Sequence, residues 1–368
     1  MLAPAAAISL LLSLIVYALT GGADFGGGLW DLLASGRRAQ AQRKAIAAAI
    51  APIWEANHVW LILVVVVLFT AFPGGFSAVM TALNIPISVM LVGIVLRGSA
   101  FIFRSHDPRP EPGRRHWSRL FGGASAFTPV IQGVILGAMA TGRIRVADGR
   151  VTTGVFAGWL TPFALSCGVF ALGLFAFLAA VYLTLDTRGE PDLQADFRRR
   201  ALWSGSALWP MAGIVYLTAR SGAPVLFHGL TRWWAPLLLA ATCLCGAGAL
   251  GGLWLRRFSL ARMAAAGQVA LILAGWSLAQ YPLPAHAGCD GGQFQRAGGD
   301  TAPAGPRARG RRPCAAPVAG LPFPPLQGRR APPALRPGFP YLSPTGGLIA
   351  GGTAIPSAAL RSISWSCS

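Results

Sequence analysis

The hydrophobic pattern of the chain consists of long apolar segments separated by short polar connections. Eight such segments can be placed, and a helix of about 20 apolar residues crosses the hydrocarbon core of a bilayer. Their approximate bounds are 4–24, 48–73, 77–103, 119–142, 154–185, 201–219, 233–255 and 260–280. The pattern predicts an all-α, polytopic membrane protein with eight transmembrane helices within residues 1–282.

Cationic residues alternate along the connections and predict the topology. The connections after the first, third, fifth and seventh segments carry clusters of Arg and Lys, such as Arg37, Arg38, Arg43 and Lys44 after the first. The other connections hold fewer cations or none. Because cytoplasmic loops are enriched in Lys and Arg, we expect these clusters in the cytoplasm and the N-terminus outside. The first segment lacks the cationic start of a cleavable signal, so we expect it to be retained as a spanning helix.

Composition agrees with a membrane protein and argues against a nucleic-acid partner. The chain is 54% hydrophobic and only 12% charged, with a mean hydropathy of +0.55, whereas soluble domains carry about 25% charged residues. The net charge of +19 could suggest nucleic-acid binding. However, its cations lie in short clusters between apolar segments, so the lipid bilayer is the predicted partner. The six cysteines show no metal-binding spacing.

The character of the chain changes after residue 282. Residues 283–368 are rich in Pro, Gly, Ala and Arg and have almost no periodic apolar pattern, which is typical of a disordered tail. A second interpretation is a shifted reading frame. Read one base later, codons for AHAGCDGGQFQRA permit MPDVTVANSSA, and codons for PCAAPVAGLPFPPLQG permit LVLLPSLGFLFRLFKG. The second string would end a ninth helix, so we predict a frameshift near residue 282.

Three charged residues fall inside apolar segments, all near the predicted cytoplasmic side: Asp24, Glu55 and Arg97. A charge at the bilayer centre costs about 2.5–3.5 kcal/mol on insertion scales, so such residues are functional candidates and need partners. We expect an ion pair between Asp24 and Arg97, which leaves Glu55 as the candidate proton-exchanging carboxyl. Two alternatives stay open. Arg97 pairs with Glu55 or reaches the interface and no proton moves, or Glu55 is merely solvated among the headgroups.

Polar residues next to Glu55 extend this candidate proton site. Asn57 follows two residues later, and His58 follows three residues later on the same helix face. His58 could ligate a haem, but a lone membrane histidine is more typical of hydrogen-bonded packing. The sequence therefore predicts no metal site.

Tryptophans and glycines nearby predict packing roles. Trp54 and Trp60 flank the polar cluster as interface or packing aromatics. Gly26, within a glycine-rich stretch, would let two helix backbones approach closely. A carboxylate among weakened helices also suits a proton-coupled secondary transporter, although such proteins usually show internal repeats, and none is evident here.

Several stretches resemble subunit II of the cytochrome bd-type quinol oxidases. They are GGADFGGGLW before an Arg-rich loop, AIAPIWEANHVWLI, LFTAFP, and AQYP followed in the shifted frame by PDVTVANS. The resemblance implies a heterodimeric oxidase of the bacterial cytoplasmic membrane that oxidises quinol and reduces oxygen to water. It also implies nine helices, arranged as two four-helix bundles and one peripheral helix. The predicted frameshift adds another outcome, a product without function.

The same resemblance assigns roles to partners and residues. Haem b and haem d would be carried mainly by the partner, subunit I, and a small accessory subunit is a further candidate partner. Glu55 matches the acid of the family's P-x-W-[DE]-x-N motif, which is linked to a proton pathway. Asp24 and Arg97 match a family acid and its partner in the third helix. Gly21 stands where many relatives carry an acid, which puts any role of that acid in doubt here.

Overall fold

The structure is a computed structural model that describes residues 2–106, 111–147, 150–152, 154 and 156–280. The side chains of residues 2–3, 55, 111–114, 146–147 and 150–151 lie outside this description. The tail 283–368, with the predicted frameshift and ninth helix, lies outside it too. The helices are α1 (Leu2–Leu32), α2 (Ala39–Ile50), α3 (Trp54–Ala71), α4 (Pro73–Ala82), α5 (Asn84–His106), α6 (Glu111–Ala140), α7 (Pro162–Asp186), α8 (Pro191–Gly222), α9 (Pro224–Gly229), α10 (Ala235–Trp254) and α11 (Phe258–Gln280). Strands β1 (Val146–Ala147) and β2 (Arg150–Val151) form an antiparallel pair.

The predicted all-α membrane fold is confirmed, and each of the eight apolar segments corresponds to one long helix. Among the described residues, six helices are long and apolar enough to cross a membrane: α1, α5, α6, α7, α10 and α11. Helices α3 and α4 meet the same criterion only as a pair, bent by 119°. Helix α8 is long enough at 32 residues, but it is not among these candidates.

Several predicted segment bounds were wrong where the chain breaks. The second segment does not start at residue 48, because residues 51–53 form turns around Pro52 and α3 begins only at Trp54. A proline has no backbone N–H to continue the helix. The third segment crosses a second break at Leu83 between α4 and α5. The fifth begins at Pro162 rather than residue 154, because Thr161 caps α7 by accepting a hydrogen bond from the Ala164 N–H at 3.1 Å.

The long helices form two groups of four. Helices α1, α3, α5 and α6 make the first bundle, and α7, α8, α10 and α11 make the second. Helix α7 is the centre of the fold, since it packs against α6 and α1 of the first bundle and α8 and α11 of the second. The largest buried apolar cluster accordingly lies where α1 and α7 meet, around Phe25, Phe175 and Leu178.

The contact between α1 and α7 depends on a glycine. A Cβ at Gly26 would lie 2.6 Å from the carbonyl carbon of Phe175 and 2.7 Å from the Cβ of Ala179. Such distances are shorter than van der Waals contact, so only glycine lets the two backbones come this close. The packing role predicted for Gly26 therefore has a defined partner, helix α7.

Candidate functional site

The first bundle encloses a buried ion pair. The side chain of Asp24 on α1 is fully buried, and Arg97 on α5 is 3% exposed and pairs with its Oδ1 atom through Nη2. The Arg97 Nη2 also donates to the Asp24 carbonyl at 3.3 Å, and the Arg97 Nε donates to the Ser125 Oγ on α6 at 2.9 Å. One guanidinium therefore connects three helices, α1, α5 and α6.

Aromatic rings and a glycine fix the position of this guanidinium. The Arg97 Cζ atom lies 4.7 Å from the ring centroid of Phe25 and 5.1 Å from that of Phe121, distances at which a cation is attracted to a ring face. Ser125 fits beside α1 because residue 28 is glycine; a Cβ there would lie 2.4 Å from the Cβ of Ser125. The sequence therefore provides both the charge and the space that the pair needs.

Asn57 is the best-defined member of the predicted proton site. Its side chain is fully buried and lies against α1, where its Oδ1 is 3.2 Å from the hydroxyl oxygen of Thr20. A Cβ at Gly21 would lie 3.0 Å from the same Oδ1 atom. Gly21 thus makes room for the Asn57 amide.

The remaining predicted residues of this segment lie on the first turns of α3. Glu55 belongs to α3 by its backbone, but its side chain lies outside the described residues. The Nδ1 atom of His58 is 2.7 Å from the carbonyl oxygen of Trp54 in the same helix. Trp54 packs against Phe101 of α5 with ring centroids 6.3 Å apart, and Trp60 is half-buried.

Two buried polar pairs were missed by the sequence reasoning. Arg104 of α5 donates from Nη1 to Oδ2 of Asp31 at 2.8 Å, and the Asp31 side chain is fully buried. A signal for this pair existed, because Asp31 follows Asp24 by seven residues and Arg104 follows Arg97 by seven, two helical turns in each case.

The second missed pair joins α1 to α6. The Nε2 atom of Gln132 donates to the hydroxyl of Tyr17, and both side chains are buried. Gln132 is a polar residue within the fourth apolar segment, 119–142. Nothing in the sequence indicated Tyr17 as its partner.

A polar cluster connects the start of α2 to α8 of the second bundle, on the side predicted to face the cytoplasm. Arg38 donates from Nε and Nη2 to the carboxylate of Asp196 at 2.9 and 2.7 Å, and Gln42 donates to the same carboxylate at 2.8 Å. Arg200 donates to the Oε1 of Gln42 at 2.7 Å. The hydrogen bond from Arg38 lowers the pKa of Asp196, so the carboxylate stays charged at neutral pH.

The histidines of α3 and α5 contact their own helices. One ring nitrogen of His58 is engaged by its own helix, and Nδ1 of His106 likewise contacts the carbonyl of Ile102 in its own helix. The arrangement suits buried ion pairing, and no group of three or more His, Cys, Asp and Glu side chains supplies a metal site within the described residues.

Sequence comparison finds one family and several relatives. The family model described as "Cytochrome bd terminal oxidase subunit II" matches residues 2–286. A putative cytochrome bd menaquinol oxidase subunit II of Bacillus subtilis is 27% identical over 61% of this chain and 64% of its own length. The cytochrome bd-I ubiquinol oxidase subunit 2 of Escherichia coli is 30% identical over 49% of this chain and 48% of its own length. The matches thus span between about half and two thirds of these relatives.

A solved structure has the same fold. A chain from the structure of the bd oxidase of Geobacillus thermodenitrificans superposes with a TM-score of 0.64, covering 77% of this chain and 86% of that chain at 23% identity. At this identity the likeness concerns the fold alone.

Proposed function

We infer the function from one premise: this chain belongs to the cytochrome bd terminal oxidase subunit II family, whose model matches residues 2–286. The chain is proposed to be subunit II of a membrane-bound quinol:oxygen oxidoreductase of the aerobic respiratory chain. In this role it supports a haem-bearing partner subunit and the uptake of cytoplasmic protons for the reduction of oxygen to water. The family match over 285 of 368 residues is the observation that carries this proposal.

The proposed partners follow from the same premise. Subunit I would carry most of the haem b and haem d of the complex. When bound in the complex, the haems supply the electron transfer to oxygen. Quinol is the proposed electron donor, and a small accessory subunit is a further proposed partner. The location proposed is the bacterial cytoplasmic membrane, with the N-terminus outside.

Within this chain, Glu55 is proposed as the proton-exchanging carboxyl. Asp24 is held by Arg97, so its charge is compensated by a buried cation. Glu55 lies at the start of α3, two residues before the buried Asn57 that contacts α1. Asn57 and His58 are proposed as polar neighbours of this route. Asp24 and Arg97 are proposed to hold α1 and α5 together, and Trp54, Trp60 and Gly26 to pack the surrounding helices.

The test is Glu55→Gln in the purified complex with its partner subunit. The amide keeps the shape of the side chain but does not exchange protons at neutral pH, so we expect slower oxygen consumption with an unchanged haem spectrum. Glu55→Asp restores a carboxyl and should recover part of the rate. The matched control is Glu190→Gln, at an exposed carboxyl in the connection before α8, which should leave the rate unchanged.

Two results would contradict the proposal at different levels. Equal turnover of Glu55→Gln and the unmodified complex across the pH range would remove the proton role of Glu55 and leave the subunit assignment standing. If no haem-bearing subunit co-purifies with the chain from membranes, the oxidase assignment itself fails, and a proton-coupled transporter becomes the better reading.

A further inference from the structure

A stripe of polar side chains continues from Asp24 toward the start of α1. Tyr17, Thr20 and Asp24 lie at positions i, i+3 and i+7 of the helix, so they share one face. Each faces a polar partner on another helix of the first bundle: Gln132 of α6, Asn57 of α3 and Arg97 of α5. The stripe spans about 10 Å at 1.5 Å per residue, in a bundle whose other contacts are largely apolar.

Each pair along this stripe leaves one buried polar atom without a hydrogen-bond partner among the described residues. These atoms are Oδ2 of Asp24, Nδ2 of Asn57 and Oε1 of Gln132. The Asp24 and Asn57 residues are fully buried, and Gln132 is 9% exposed. Interchanging the amide oxygen and nitrogen of Gln132 or Asn57 changes which atom is unpaired but does not remove the deficit, because each amide contacts one hydroxyl.

The hydroxyl groups of Thr20 and Tyr17 can form further hydrogen bonds. Thr20 already donates its hydrogen to the carbonyl of Val16 at 2.8 Å, so its contact with Asn57 leaves the amide still short of a donor or acceptor. The hydroxyl of Tyr17 accepts from Gln132, which leaves its own hydrogen available for donation. Buried polar atoms are costly unless they are hydrogen-bonded, and ordered water is the partner that proteins commonly use.

We propose that the face of α1 formed by Tyr17, Thr20 and Asp24 binds a short file of ordered water molecules, whose outer end is held by Tyr17 and Gln132. Water supplies both donors and acceptors, so it can satisfy the Asp24 oxygen, the Asn57 amide and the Gln132 amide together. The three unpartnered atoms make no hydrogen bond to one another, and bridging water connects such groups in proteins.

The file deepens the proposed function and rests on it only for its role in proton movement. Asn57 lies two residues from Glu55 in α3, so the file connects the region of the proposed proton carrier to Tyr17. Tyr17 and Gln132 are therefore positioning residues that hold the far end of the hydrated route. The presence of water along this face of α1 is a separate claim, and it can be tested without measuring the turnover of the oxidase.

The test uses X-ray radiolysis of the purified complex, in which hydroxyl radicals formed from bound water oxidise the adjacent side chain. Tyr17 is only 5% exposed, so bulk radicals reach it poorly. If water is bound beside it, we expect Tyr17 to be oxidised at least about tenfold faster than Phe177, an aromatic ring that is 1% exposed and lies in the second bundle. Equal, slow oxidation of the two rings would overturn the proposal.

Two variants sharpen the result. Gln132→Leu removes the amide that holds the outer water, so the oxidation of Tyr17 should fall severalfold, whereas Gln132→Ser leaves room and polarity for water and should preserve it. The matched control is Gln268→Leu in α11 of the second bundle, which should leave Tyr17 oxidation unchanged. If Gln132→Leu does not assemble, the comparison of Tyr17 with Phe177 in the unmodified complex still decides.

Fast oxidation of Tyr17 with no effect of Glu55→Gln on turnover would keep the water file and remove the proton role, so the two failures are distinguishable.

Discussion

At the scale of single residues, the central feature is a buried ion pair inside a largely apolar bundle. Arg97 meets Asp24, Ser125 and two phenyl rings, so its guanidinium has hydrogen-bond acceptors and cation–π contacts on several sides. Taking two charges out of water is expensive, and only such dense pairing offsets the cost. Removing one charge therefore leaves the other buried without a partner, and the free-energy cost of its desolvation is no longer offset.

We expect Arg97→Leu to destabilise the protein by about 3–5 kcal/mol, because it leaves the buried Asp24 charge without a partner. The double variant Asp24→Asn/Arg97→Leu removes both charges and should recover part of this loss. Thermal unfolding of the detergent-purified complex measures the difference. Arg199→Leu, at an exposed arginine of α8, is the control and should change little. A single Arg97 variant as stable as the unmodified protein would show that the pair does not hold the bundle.

At the scale of elements, α1 is the helix on which the other parts converge. One face carries the polar stripe toward α3, α5 and α6, and another carries Gly26 against the backbone of α7. The hydrogen bond from the Trp30 indole to the carbonyl of Ala176, at 2.8 Å, extends the same α1–α7 contact by one turn. The cluster of Arg38, Gln42 and Asp196 then fixes α2, which follows α1, to α8. The position of α1 thus determines the spacing of both bundles.

Gly26→Ala should force α1 and α7 apart, because the new methyl group would overlap the backbone of Phe175. Overpacking of this kind costs about 1–3 kcal/mol, and chemical denaturation of the purified complex would report it. Gly98→Ala in α5 is the matched control, since nothing lies within 4 Å of a Cβ at that position. We expect the control to be neutral or stabilising, because alanine favours a helix more than glycine does. Equal effects of the two substitutions would mean that the close approach at Gly26 is not tight in solution.

At the scale of the whole molecule, the question is how far the native reading frame extends. The family match ends at residue 286, close to the change of composition after residue 282. The sequence predicts that the frame shifts there and that the gene in its original frame encodes a ninth helix. Loss of that helix would remove a packing face, and we expect such a product to function poorly or not at all.

Resequencing of the coding DNA for residues 281–283 should show one base too many or too few. With the frame restored, the encoded chain should continue with a PDVTVANS-like stretch and an apolar helix that ends in cationic residues. We also expect the restored chain to co-purify with its haem-bearing partner in higher yield than the present chain. An intact frame at this position would end the hypothesis.

The sequence by itself determined the class of fold, the family and the buried charges Asp24 and Arg97. Hydrophobicity over about 20 residues is a local property, so the eight long helices could be read directly from the chain. The charges Asp24 and Arg97 stood out because apolar segments rarely contain them. The predicted bounds of three segments were wrong near Pro52, Leu83 and Thr161, because a turn or a helix cap interrupts the helix there. Hydropathy alone does not detect such an interruption within an apolar run.

Only the tertiary structure decided which residues meet. It joined Tyr17 to Gln132 and Asp31 to Arg104, and it placed the Asn57 amide against Thr20. It also made α7 the axis between the two bundles. Such contacts depend on how helices rotate and cross when their side chains interlock, and that arrangement comes from packing between segments distant in sequence. The apolar pattern of one segment contains no information about the face that its neighbour presents.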